Sequence, residues 1–246
     1  MTRRLLLIVL GAVVMTSATI AQTATTPPLL SIARAQVKSG QMAEYLEIQK
    51  KFTDASKKSG APFRYVLQSS MGNPNEVVTI SGMNSYAERD AESPIRKAMG
   101  AAEYASLVAR RSQCTVSVRT TIEKALPELS LAGTMPVPKM IREVRTRIRS
   151  GMQNQYMALV KSDLLPALKK ADVKVFRMRQ VQWGGSRTEF TSASPVDKWS
   201  ELDGPSRLET AMGKEAYAKY SDKVGAMIAS SEYLILTVVA ESSYRN

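Results

Sequence analysis

Apolar and polar residues alternate along residues 31–37 and again along 140–148, the period of a half-buried strand. Gly40 and Gly151 follow these runs, and helical spacing then takes over. Met42, Tyr45, Leu46 and Phe52 fall on one helical face, as do Tyr156, Met157, Val160, Leu164 and Leu168, with Pro166 expected to kink the latter helix. Second and third strands are predicted at 63–70 and 76–81, and at 173–183 and 189–194, joined by Asn-Pro-Asn and Gly-Gly-Ser turns. Asn84 and Asp197 are expected helix caps, and Ser93-Pro94 is a helix start. Tyr217, Tyr220, Val224, Met227 and Ile228 mark a last helix, and final strands are expected at 115–122 and 233–240. The order β-α-β-β-α-β is thus written twice.

The residues repeat with the pattern. Val37-Lys38-Ser39-Gly40 and Tyr45 recur as Ile148-Arg149-Ser150-Gly151 and Tyr156, an offset of 111. After two extra residues the offset is 113, so that Phe63-Arg64 matches Phe176-Arg177, Glu76 matches Glu189, and Ala98-Met99-Gly100 with Tyr104-Ala105 matches Ala211-Met212-Gly213 with Tyr217-Ala218. Residues 63–105 carry 13 identities in 43 ungapped positions, too many for coincidence. Between the copies, Pro127, Gly133, Pro136 and Pro138 mark a break. The predicted organisation is a signal peptide at 1–21, a spacer at 22–28, a first repeat at 29–125, a linker at 126–138 and a second repeat at 139–246.

The signal peptide rests on Arg3 and Arg4, the apolar run at 5–14 and the small residues before Gln22. Thr16, Ser17 and Thr19 interrupt that run too early for a membrane span. The expected location is therefore exported, periplasmic or extracellular. The net charge of +12, or +10 without Arg3 and Arg4, then points to anionic envelope surfaces or small anions rather than to nucleic acid. A solvated basic surface with no partner fits the charge equally well. Cys114 is the single cysteine, which excludes an internal disulfide. The sequence contains no histidine, which removes Ser-His and Cys-His nucleophilic pairs, His-ligated haem and the usual zinc sites. No cofactor and no metal are expected.

The element order, with Val-Lys-Ser-Gly-x-x-x-x-Tyr and Ile-Arg-Ser-Gly-x-x-x-x-Tyr joining strand to helix, resembles the dimeric α/β-barrel superfamily, its NIPSNAP-like and antibiotic-biosynthesis-monooxygenase-like domains in particular. The resemblance implies an α+β fold of ferredoxin-like units, each with two helices on one face of a four-stranded antiparallel sheet and a second sheet covering the other face. Here the second repeat can supply that cover, giving an intrachain pseudo-dimer that buries apolar sheet surface at about 25 cal/mol per Å².

Strand alternation sorts the side chains. Ala33, Ala35 and Val37, with Val144, Thr146 and Ile148, are expected beneath the helices, which leaves Arg34, Gln36 and Lys38, with Arg145, Arg147 and Arg149, on the opposite face. Arg64 and Arg177 begin the second strands and Glu76 and Glu189 the third, so each copy is expected to hold an Arg and a Glu together near a strand end. They are either structural ion pairs or an anion site in which guanidinium groups bind carboxylate or phosphate. Tyr104 and Tyr217 are core residues or ligand hydrogen-bonders. Glu88 with Asp90, and Glu201 with Asp203, fit helix-dipole roles better than acid–base work. The candidate ligand-binding set is Arg34, Arg64, Glu76, Tyr104, Arg145, Arg177, Glu189 and Tyr217, with no catalytic residues. Two readings follow: a non-catalytic protein that binds a small anionic or amphipathic molecule between paired sheets, or a cofactor-free monooxygenase- or isomerase-like enzyme.

Overall fold

The computed structural model describes residues 27–133 and 137–246; the predicted signal peptide lies outside them. The first repeat comprises β1 (Leu29–Val37), α1 (Met42–Lys58), β2 (Phe63–Met71), β3 (Glu76–Met83), α2 (Pro94–Met99), α3 (Ala101–Cys114) and β4 (Thr115–Ala125). A short β5 (Leu131–Ala132) precedes the second repeat: β6 (Met140–Ile148), α4 (Gln153–Leu159), α5 (Leu165–Lys170), β7 (Val175–Trp183), β8 (Glu189–Val196), α6 (Arg207–Met212), α7 (Lys214–Met227) and β9 (Ile228–Val238), with β10 (Tyr244–Arg245) last.

Eight strands close a ring in the order β2-β3-β1-β4-β7-β8-β6-β9 and back to β2, with every neighbour antiparallel. Equivalent strands of the two repeats therefore run the same way, and the pseudo-two-fold axis lies along the barrel. The seams between repeats are β4 with β7 and β2 with β9. The repeats also exchange their ends. Leu126, Leu129 and Leu131, in the segment expected to be a linker, pack in the core beneath the second repeat's helices, and β5 pairs with β7. Reciprocally, Val239 packs beneath the first repeat's helices and β10 pairs with β2.

The two extra residues of the second repeat enter at separate places. One lies in the helix: α1 is continuous, whereas its counterpart carries a π-helical turn at Val160–Leu164, the way a helix absorbs a single inserted residue. Pro166 stands at the start of α5, just after that turn. The other lies in the second hairpin, where Gln180 pairs with Phe190 while Gln68 pairs with Val77. Between these insertions β7 is offset from β2 by 112, not 113. Because a one-residue slip turns a strand's side chains to the other face, the identities Phe63-Arg64 and Phe176-Arg177 do not occupy equivalent places. Arg64 is equivalent to Phe176, both beneath helices, and Tyr65 to Arg177, both on the inner face.

The sorting of β1 and β6 agrees with the structure: Ala35, Val37 and Ile148 lie in the helix-side cores. Inside the barrel, Leu30, Ile32, Leu67, Val78, Ile80, Leu234, Leu236 and Val238 fill one side. Gly100 and Gly213, at φ +88° and +84°, join successive helices in a conformation that side chains disfavour, which accounts for the most specific repeated motif.

Candidate functional site

The opposite side of the barrel interior is ionic. Arg179 lies between two carboxylates, with Nε 2.6 Å from Glu123 and Nη2 2.5 Å from Glu143. Arg34 reaches the same two at 3.2 and 3.8 Å. Arg145 donates from Nε to Glu143 at 2.8 Å, from Nη2 to Glu76 at 2.5 Å and from Nη1 to Glu232 at 3.2 Å. Thr121 adds a hydroxyl to Glu123 at 2.8 Å. Glu123 and Glu143 are fully buried. Burial alone would raise their pKa values, but Arg179 and Arg34 outweigh it, with Arg145 adding to the effect at Glu143. Both are held low, Glu143 at about 2.

The network opens at the barrel end that holds the two β2–β3-type hairpin turns. A cleft of about 230 Å³ there is lined by Arg34, Arg119, Arg145 and Arg147, with Glu123, Glu189, Glu232, Thr191 and Ser230 among its other walls. Glu189 accepts from Arg119 at 2.8 Å and from Arg147 at 3.2 Å. Its pKa is low because these donors and the Ser186 amide outweigh burial. Arg119 lies across the second hairpin turn, with Nε donating to the Gly184 carbonyl. A Cβ on Gly185 would fall 2.0 Å from the Arg119 guanidinium, so only glycine permits this approach.

Four of the predicted site residues, Arg34, Glu76, Arg145 and Glu189, meet in or beside this network. The other four do not. Arg64 is buried beneath α1, where it donates to Gln49 at 2.9 Å and Ser81 at 3.2 Å, with no partner for Nε among the described residues. It is not beside Glu76, because an antiparallel hairpin sets the start of β2 against the end of β3 and pairs Arg64 with Ser81. For the same reason Arg177 is far along its hairpin from Glu189; it pairs with Ala193 and donates to the carbonyls of Leu131 and Gly133. Tyr104 packs edge-on against Phe52 at 5.9 Å, a core role. Tyr217 is half-buried on α7, away from the cleft lining. Glu88 and Glu201 accept from the backbone amides of Asn84 and Asp197, so each carboxylate caps its own turn. These turns are 3-10 helices, Tyr86–Arg89 and Trp199–Leu202, in which Asn84 and Asp197 contribute amides rather than side-chain caps.

Glu123, Glu143, Arg119 and Arg179 were not singled out from sequence. Glu143 was within reach, since it shares strand parity with Arg145. Glu123 and Arg179 needed the seam register, which pairs strands from different repeats.

No protein-family model and no curated protein matches this chain. Among solved structures, a "putative monooxygenase" from Fusobacterium nucleatum subsp. nucleatum is similar at 11% identity over 87% of this chain and 93% of that one, with a TM-score of 0.63. A protein of the same description from Lactobacillus acidophilus NCFM is similar at 9% identity, over 89% of this chain and 96% of that one, with a TM-score of 0.60. An anthrone oxidase-like protein is similar at 14% identity over 86% and 91%, with a TM-score of 0.60. At these identities the likeness concerns the fold. The ring of eight strands, its two ferredoxin-like units and these structural neighbours together establish that the chain has the fold of the dimeric α/β-barrel superfamily, with both halves in one polypeptide.

Proposed function

We propose that this is an exported, non-catalytic protein that binds one small anionic molecule in the cleft at the mouth of its barrel. The observation that carries this reading is the convergence of Arg34, Arg119, Arg145 and Arg147 on one cleft, opposite the apolar side of the barrel interior. The cleft itself, at about 230 Å³, suits a compact ligand, and Arg119, Arg147 and Glu189 also border a more open space of about 630 Å³ beside it. Arg119 and Arg147 are half-exposed and so keep donors within reach of an entering carboxylate.

The second reading is a cofactor-free oxygenase or isomerase. The names of the two monooxygenase-described neighbours and of the anthrone oxidase-like protein favour it. It requires a base to remove a substrate proton, and Glu123, Glu143 and Glu189, all held below the usual carboxylate range, are weak bases for that step.

Calorimetric titration with acetate, benzoate and phthalate tests the binding reading. Saturable binding of one molecule per chain, weakened about tenfold by Arg147→Gln, is the expected result, the size of one lost charge-assisted hydrogen bond. Failure of every anion to bind, or binding indifferent to Arg147→Gln, would overturn it. Oxygen uptake with a bound aromatic acid would move the enzyme reading to first place. Export is tested separately, by the N-terminal sequence of the protein recovered from its producing cells.

A further inference from the structure

The open space beside the cleft is lined by Arg149 and Ser150 as well as by Arg119, Arg147 and Glu189. Its charge is uneven: three guanidinium groups, on Arg119, Arg147 and Arg149, share it with one carboxylate, Glu189. The pseudo-symmetric corner of the barrel is different. There Glu232, Gln36 and Lys38 take the places of the three arginines and Glu76 that of Glu189, so one cation stands with two carboxylates. Gln36 and Asn73 join across that corner by reciprocal amide hydrogen bonds. Duplication of one unit has therefore left a single corner with an excess of arginine.

These arginines are held in place without being used up. Glu189 accepts from Nη2 of Arg119 at 2.8 Å and from Nη2 of Arg147 at 3.2 Å, and Arg149 donates from Nε to the Ile228 carbonyl at 3.2 Å. Among the described residues nothing accepts from Nη1 of Arg119 or Arg147, or from either Nη of Arg149. Oriented guanidinium groups with donors to spare suit carboxylate oxygens. Arg147 lies in β6 and Arg149 one residue past its end, so at a strand rise of about 3.3 Å per residue their Cα atoms stand about 6–7 Å apart.

We propose that the ligand is a dicarboxylate, with one carboxylate on the wall that Arg119 and Arg147 share with the cleft and the other on Arg149. The proposal rests on the reading of the cleft as an anion site and specifies the class of anion. A single carboxylate at the shared wall leaves Arg149 without a partner. A second one, carried on the same molecule a strand repeat away, engages it without a further association step. Adipate has an extended length that matches this span, and malonate is too short to bridge it.

Calorimetric titration of the full chain with adipate, with monomethyl adipate and with malonate tests the proposal. The ester keeps the length and loses one charge. Adipate is expected to bind about tenfold tighter than the ester, the size of one further charge-assisted contact. Arg149→Gln should bring that ratio close to one, whereas Arg147→Gln should weaken both ligands. Lys38→Gln, the matching change at the pseudo-symmetric corner, should leave the ratio as it is. Equal binding of ester and diacid, or a ratio that survives Arg149→Gln, would overturn the dicarboxylate and leave the anion site standing. A ratio lowered as far by Lys38→Gln, or malonate binding as tightly as adipate, would assign the preference to net charge alone and overturn it too. Binding of no anion, or binding indifferent to Arg147→Gln, would remove the anion site itself and this proposal with it.

Discussion

Leu67 and Arg179 occupy the same position on the second strand of their respective repeats, yet one is packed in aliphatic side chains and the other in carboxylates. The pseudo-two-fold axis relates their neighbours as well: Ile32 to Glu143, and Leu236 to Glu123. One half of the barrel interior is thus sealed by apolar packing and the other is held by an ion network. That asymmetry sets the arginine-lined cleft on one side of a nearly symmetric scaffold.

The network predicts a steep penalty for removing its centre. Arg179→Leu leaves Glu123 and Glu143 buried without their strongest partner, and is expected to cost about 3–5 kcal/mol. Adding Glu123→Leu removes one of the stranded charges, so the double substitution should cost less than the sum of the singles. Urea denaturation of the four proteins measures both.

The same carboxylates set the response to acid. Their folded pKa values are depressed, Glu143 to about 2, below the ordinary carboxylate value of 4.5. Their contribution is therefore fully present above pH about 5 and lost as pH falls through the folded values. For Glu143 that contribution is about 3 kcal/mol, at 1.36 kcal/mol per unit. Stability measured against pH should be flat on this account from neutrality to about pH 5 and fall steeply toward pH 2, and Glu143→Gln should flatten the fall.

Arg64 behaves in the opposite way. It is buried beneath α1 with no carboxylate partner among the described residues, and burial, only partly offset by Tyr45, lowers its pKa to about 10. Among the described residues its Nε has no hydrogen-bond partner. Arg64→Met keeps the volume and removes the desolvated charge, so it is expected to leave stability unchanged or raise it by about 1–3 kcal/mol in the same denaturation experiment.

The sequence made the repeat, the strand order and the inward-facing arginines of β1 and β6 legible, because period-two alternation and an offset of 111 survive in the residues themselves. It hid the place of Arg64. A single residue absorbed in the π-helical turn at Val160–Leu164 slips β7 against β2, while Phe63-Arg64 and Phe176-Arg177 still look alike. It hid Glu123 and Arg179 for another reason. Their partnership depends on which strands meet at the seam, a long-range choice that local pattern does not encode. The segment after Leu126 read as a linker because Pro and Gly dominate it, although its three leucines complete the other repeat's core.

The barrel itself rests on the seams closing within one chain, and the register there provides its most direct test. Lys124 pairs with Gln180 across β4 and β7, and Cys114→Ser removes the native thiol. With Lys124→Cys and Gln180→Cys in that background, mild oxidation should form a disulfide within a single chain, seen as a faster-migrating species of monomer mass on non-reducing electrophoresis. Cross-links found only at dimer mass, or none at all, would contradict the intrachain barrel and with it the cleft built from both repeats.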